Sequence, residues 1–268
     1  MNNNKHTKLL RTIGLAAAAA LATLSVMAGN DHRTHPSEYF LQEGDLPNSA
    51  YVLPAPPDSG SVALYNDMDR YNWGKSLRNT ERGDTAASDA RVNGNGVPEA
   101  FSEAFGVVID SHTPEILKLI IGMREDAGDL ATRDAKVHYD RQRPFIFFAE
   151  ETCNPEQQHE LSGNGSYPSG HTSIGWATAL VLAEINPERQ NEILRRGYEM
   201  GQSRVICGYH YQSDVDAGRI TGSMAVARLH ADPAFQAQLA RAKEEFRRLK
   251  QAGKVAKGTP LPTPTTSD

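Results

Sequence analysis

The sequence predicts an all-α protein, a single-domain helical bundle, and three observations carry that expectation. Apolar residues recur at spacings of three and four along several stretches, the segment from Ser169 to Ile185 is apolar on almost every side, and no stretch alternates as a strand would. Internal repeats and heptads are absent, so the pattern fits a globular bundle rather than a solenoid or coiled coil.

The elements follow in chain order. Leu46 to Gly60 holds Pro47, Pro54, Pro56 and Pro57 and reads as an irregular arm over the bundle, and Asn93-Gly94-Asn95-Gly96 is a turn between two short helices. A helix starts near Pro114, because Ile116, Leu119, Ile120, Met123, Ala127 and Leu130 form one stripe. Ser169 to Ile185, with Ile174, Trp176, Leu180, Val181 and Leu182, has no wet face and is expected at the centre. Pro187 opens a helix that runs through Ile193, Leu194, Tyr198 and Met200 towards Arg204, until Gly208 interrupts it. Asp214 to His230 and Pro233 to about Leu249 complete the bundle, the last with a strongly charged outer face.

The ends stand apart from this body. Lys5, Lys8 and Arg11 precede an apolar run from Ile13 to Met27 that is short for a membrane span, and Val26-Met27-Ala28 suits cleavage. Residues 1–28 are therefore expected to be an export signal, with a mature domain at 29–250. Residues 251–268 hold Pro260, Pro262 and Pro264 with no apolar face, and are expected to form a disordered tail.

Charge and cysteine usage narrow the function. Lys5, Lys8 and Arg11 are the only formal charges in the leader, so its loss takes the net charge from -5 to -8, which argues against non-specific nucleic-acid binding. Cations gathered in so acidic a chain need a local reason, and a bound anion is one. The chain has two cysteines, Cys153 and Cys207, and in an oxidising compartment the economical expectation is one disulfide. The chain-entropy model values that closure at roughly 4 kcal/mol.

Three polar clusters carry the chemistry. Lys136 and Arg143 lie seven apart, two helical turns, and would face one direction on a continuous helix; Pro144 places Arg143 at that helix's exit. There a planar guanidinium can grip two oxygens of a tetrahedral anion. In the second cluster Pro168 ends what precedes it and Ser169 caps the apolar helix. The Ser169 hydroxyl and the Gly170 amide can cradle an anion, with His171 in the first turn beside them. In the third, Ser203-Arg204 is followed by His210, and Asp214 comes four residues later, a helical spacing that sets a carboxylate beside an imidazole.

Taken together, the clusters resemble the type 2 phosphatidic acid phosphatase superfamily: Lys, six residues, Arg-Pro; then Pro-Ser-Gly-His; then Ser-Arg, five residues, His, three residues, Asp. The stretches 165–172 and 201–210 are similar to class A bacterial non-specific acid phosphatases, and the likeness extends over about residues 50–248. Tyr211 departs from that class, which often carries Trp there.

The resemblance implies an all-helical fold and a phosphomonoesterase of broad range in the periplasm, with possible phosphotransfer to alcohols. It makes His210 the nucleophile, oriented by Asp214, and His171 the acid that protonates the leaving group. Lys136, Arg143, Ser169, Gly170 and Arg204 then hold phosphate oxygens. The scheme calls for no metal or cofactor. It sets the expected partners as small phosphate monoesters, with neither nucleic acid nor, after signal removal, a membrane; a homo-oligomer is left open. One histidine starts neutral and the other protonated, so activity is expected near or below the ~6.5 of free imidazole.

Competing chemistries are weaker. Asp67-Met68-Asp69 resembles the start of an aspartyl-phosphate motif, but Arg70-Tyr71 follows and no strand leads in. His138 and Asp140 lack partners for zinc and read as a solvated helix end. The related vanadium haloperoxidases use an equivalent pocket, and an exported anion binder without turnover is a third reading that the motifs leave open.

Overall fold

The computed structural model describes residues 39–258, which form helices joined by short loops. The expected signal at 1–28, the start of the mature chain, and residues 259–268 lie outside the described residues. Among the described residues there is no strand and no helix long and apolar enough to cross a membrane.

The elements are α1 (Ser49–Val52), α2 (Val62–Ser76), α3 (Glu81–Ser88), α4 (Gly96–Phe105), α5 (Pro114–Glu125), α6 (Arg133–Tyr139), α7 (Pro144–Phe147), α8 (Pro155–Leu161), α9 (Gly170–Ile185), α10 (Gln190–Ile206), α11 (Gln212–Leu229) and α12 (Pro233–Gln251). Local chemistry sets several starts. Ser61 Oγ accepts from Leu64 N at 3.1 Å, Asp232 Oδ1 from Phe235 N at 2.8 Å, and Asn154 Oδ1 from Glu156 N at 3.1 Å. Each satisfies an amide that the first turn leaves unpaired.

As its composition requires, α9 is central. It packs against α10 and α11, and Ile174, Ala177, Val181, Leu182 and Ile185 join Ile116, Leu119, Ile120 and Met123 of α5 in one buried cluster. Phe235, Leu239, Ala242 and Phe246 of α12 close it from the other side. The charged outer face of α12 stays in water, as its pattern demands.

Four sequence expectations need correction. The helix from Pro114 does not run on regularly to Leu130: after Glu125 it widens into a π turn at Asp126–Leu130. Asp126 is completely buried there, and its carboxylate accepts from Phe40 N (2.9 Å) and Leu41 N (3.0 Å), pinning the start of the described chain. Burial pushes this carboxyl up to about 7. The arm at 46–60 contains a helical turn, α1, packed on α6. The segment opened by Pro187 begins as a 3-10 turn, Pro187–Arg189, before α10. Finally, the packed body does not stop at residue 250. α12 reaches Gln251, Ala256 N donates to Gly106 O at 2.9 Å, and Arg189 Nη1 bonds the Lys257 carbonyl, so residues 252–258 lie against the bundle.

The expected disulfide is present. Cys153 and Cys207 are bonded, with Cα atoms 4.8 Å apart, and Cys153 N donates to Cys207 O at 3.3 Å. Cys207 caps the end of α10, and Gly208 follows at φ +78°, a left-handed conformation that turns the chain sharply towards His210.

Candidate active site

Five helix ends converge on one place. α6 brings Lys136, the cap of α7 brings Arg143, the start of α9 brings Ser169 to His171, and the end of α10 with the turn into α11 brings Arg204, His210 and Asp214. The start of α9 is tied to the start of α11 directly, since Ser169 N donates to Asp214 O at 2.9 Å.

Lys136 and Arg143 meet by a route the spacing did not foresee. α6 stops at Tyr139, Asp140 takes φ +38°, and the chain runs extended until Arg143 becomes the N-cap of α7. Arg143 thus stands at a helix start, not at the exit of the Lys136 helix; Pro144 fits the first position of the new helix, where its missing N–H costs nothing. The two side chains still converge, for Lys136 Nζ donates to Gly165 O at 2.9 Å and Arg143 Nη2 reaches the same oxygen at 3.4 Å.

The three cations share one property. Arg143 (1 % exposed) and Arg204 (0 % exposed) are buried and Lys136 is half-buried, yet the acceptors they reach are neutral. Arg143 donates to the carbonyls of Leu161, Asn164 and Tyr209 and to the Asn164 side-chain amide. Arg204 Nη1 donates to Gln157 Oε1 at 3.1 Å, and its guanidinium lies 3.9 Å over the Tyr209 ring. Arg204 Nε and Nη2 are buried with no hydrogen-bond partner among the described residues. Burial lowers all three: Arg143 to about 10, Arg204 to about 9, and Lys136 well below the usual lysine range, with the neighbouring arginines adding to the effect on Lys136. Unmatched buried charge is expensive, and a tetrahedral anion would relieve it.

His210 is 1 % exposed and lies just outside α11, not on a helix with Asp214 as the spacing suggested. Tyr211 is the N-cap and Asp214 the third helical residue. The carboxylate therefore serves twice. Asp214 Oδ2 accepts from Tyr211 N at 2.9 Å, closing a capping box, and also faces His210 Nδ1 at 3.4 Å. Ser166, fully buried, donates its hydroxyl to the same oxygen and stands 3.4 Å from His210 Nδ1. On the other side of the ring, Arg143 Nη1 lies 3.1 Å from His210 Nε2. An arginine can only donate, so that contact assigns the lone pair to Nε2 and the proton to Nδ1. Burial, then the charges of Arg143, Lys136 and Arg204, push this imidazole well below its usual range and keep it neutral.

His171 occupies the first turn of α9, half-buried, with Nε2 at 3.1 Å from Ala90 O. A carbonyl accepts, so Nε2 carries the hydrogen and Nδ1 is the atom left for proton transfer. Burial, then Arg204 and His210, push this ring down as well. Ser169 caps α9, its Oγ accepting from Thr172 N (3.3 Å) and Thr172 Oγ1 (2.9 Å). Gly170 has a packing reason that spacing did not show: a Cβ there would lie 2.8 Å from Gly128 O in the π turn.

Sequence reasoning assigned no role here to Arg141 or Ser166, and Asp67 drew notice only as the start of an aspartyl-phosphate motif; all three complete the site. Arg141 Nη1 donates to Asp214 Oδ1 (2.5 Å) and Ser213 Oγ (2.8 Å), and Nη2 donates to Asp67 Oδ2 (2.9 Å). Asp67, 1 % exposed, also accepts from Ser213 N and Ser213 Oγ. Tyr211, the departure from the family pattern, is buried beneath Arg141, whose guanidinium sits 4.1 Å over its ring. His138 and Asp140 are exposed, as a solvated helix end requires.

Comparison with known proteins agrees with this geometry. The model of the PAP2 superfamily matches residues 117–236, which include all three clusters. The chain is 56 % identical over 246 residues to a non-specific acid phosphatase of Providencia stuartii, covering 90 % of this chain and 99 % of that one. It is 46 % identical over 200 residues to the non-specific acid phosphatase of Salmonella typhimurium, covering 74 % and 80 %. An acid phosphatase of Zymomonas mobilis is 34 % identical over 228 residues, 84 % of each chain.

Proposed function

This chain belongs to the PAP2 superfamily as an acid phosphatase, and on that premise we propose that it is an exported, periplasmic enzyme hydrolysing phosphate monoesters of broad range through a phosphohistidine on His210. The observation that carries this reading is the buried Arg204, with two N–H groups unpaired among the described residues, in company with Arg143, whose Nη1 lies 3.1 Å from His210 Nε2, and Lys136, which shares the Gly165 carbonyl with Arg143. Lys136, Arg143, Arg204, Ser169 and the Gly170 amide hold the nonbridging oxygens, and the work is mostly electrostatic positioning of a charge-rich transition state.

In the first step the Nε2 lone pair of His210 forms the bond to phosphorus. The ester P–O bond breaks with its electron pair on the leaving oxygen, which takes a proton from His171 Nδ1. The phosphoimidazolium keeps its Nδ1 proton facing Asp214, whose charge stabilises it. In the second step His171 Nδ1 takes a proton from water as it attacks phosphorus, and the P–N bond breaks with its pair returned to Nε2. His171 is pushed down by burial beside Arg204; an arriving phosphate ester offsets that cation and restores the proton the first step needs. An alcohol in place of water gives phosphotransfer.

The test is a panel of phosphomonoesters assayed in chelator with the mature chain beginning near Gly29, beside His210→Ala. Turnover of several unrelated esters by the parent and none by the variant is expected. Full activity in His210→Ala would overturn the mechanism.

A further inference from the structure

Arg141 is a nearly buried arginine outside the three clusters, its side chain 10 % exposed. It joins three elements: Asp67 on α2, Ser213 and Asp214 on α11, and the loop from α6 to α7 that carries Arg141 itself. Its position divides the Asp214 carboxylate. Oδ1 is taken by Arg141, while Oδ2 serves Tyr211 N, Ser166 and His210 Nδ1.

That division matters because of what a lone carboxylate would do. An uncompensated Asp214 would hold a proton on His210 in acid, since an adjacent opposite charge favours the charged imidazole by one or more pH units. A protonated Nε2 has no lone pair to attack with. The other charged groups facing this dyad are Arg143 at the start of α7, Lys136 on α6, Arg204 on α10 and His171 on α9, with the phenols of Tyr211 and Tyr167 beside Asp214. In the proposed scheme Lys136, Arg143 and Arg204 are offset when phosphate arrives. Arg141 spends its hydrogen bonds on Ser213, Asp214 and Asp67 instead, and remains.

We propose that Arg141, anchored by Asp67 and stacked on Tyr211, is a positioning residue that compensates the charge of Asp214, so that His210 stays an uncharged nucleophile in acid. The inference rests on the phosphohistidine reading above. Asp67 takes the second nitrogen of the fork and fixes its plane, and it also shares the cation. Removing the Asp67 charge therefore leaves more of Arg141 to act on Asp214.

The test is the pH dependence of kcat/KM for one aryl phosphate in the parent, Arg141→Lys and Arg141→Gln, with substrate ionisation common to all three. In Arg141→Gln the acid limb is expected to move up by about one pH unit, with a smaller loss on the plateau. In Arg141→Lys, which keeps the charge but not the fork, the limb stays and the plateau falls. An unmoved limb with a uniform loss in Arg141→Gln would overturn the proposal, as would an equal shift in both variants. Should Arg141→Gln fail to fold, Asp67→Asn decides the matter: a limb moved down supports the proposal, and one moved up or unmoved overturns it. His210→Ala is assayed alongside. Parental activity there sinks the phosphohistidine reading, whereas an inactive His210→Ala with an unmoved limb in Arg141→Gln sinks only the role of Arg141.

Discussion

Two arginines of the site, Arg141 and Arg204, are treated in opposite ways. Arg141 is paired with Asp67 and Asp214, accompanied by a serine hydroxyl and backed by an aromatic ring. Arg204 has a ring and one amide oxygen, and two of its nitrogens are left without partners among the described residues. Stability alone would favour the first arrangement at both positions. In the proposed mechanism the second is a charge held ready for phosphate, and the contrast separates the part of the site that would stay fixed from the part that would bind.

The contrast can be broken most severely at the ring of His210. His210→Ala is expected to lower kcat by roughly 10^4-fold or more while leaving inorganic phosphate binding measurable by calorimetry. Next, Arg204→Met should lower kcat/KM by about 10^2 to 10^3-fold, yet leave the melting temperature of the free protein unchanged or higher, because an unmatched buried charge is removed. Arg141→Met should do the reverse to stability, costing about 3 kcal/mol by denaturant titration as two buried carboxylates lose their counter-charge. Equal stability changes in these two variants would erase the distinction.

Acid sharpens the comparison further. His171 and His210 are both pushed below the unfolded value of about 6.5, so their contribution to stability is present above that pH and lost as pH falls below it, when the unfolded chain takes up protons. Asp126 in the π turn, pushed up to about 7, acts in the opposite sense. The gap between melting temperatures with and without inorganic phosphate isolates the site from Asp126, and it is expected to widen as pH drops below about 6.5. The smallest effect is at Ser203→Ala, which loses the hydroxyl bond to Asp89 Oδ2 (2.6 Å) and should cost about 1 kcal/mol with little change in kcat.

The fixed and the binding parts were unequally legible in the sequence. The proposed binding residues stand at motif spacings, and their helices announce themselves: Ser169 before an apolar segment, Pro114 before a stripe, two cysteines in a chain expected to be exported. Arg141 carries no such mark. Its partner Asp67 is 74 residues away, and the loop that turns it inward depends on Asp140 adopting positive φ, which nothing in the local composition requires. The same loop made Arg143 a helix start where a continuous helix was expected. The π turn at Asp126–Leu130 was hidden because Ala127 and Leu130 keep the helical spacing while the backbone widens beneath them. A buried Asp two residues before Asp69 on α2 was a weak signal, visible only once its cation is known.

In the proposed mechanism His210 accepts the phosphoryl group. The most direct measurement is rapid mixing of the enzyme with an aryl phosphate radiolabelled in its phosphoryl group, quenching into alkali and peptide mapping in base. Label is expected on the His210 peptide as an acid-labile, base-stable phosphoramidate that forms and decays at rates compatible with turnover. Turnover that leaves no label on His210, or label carried by another residue, would contradict it.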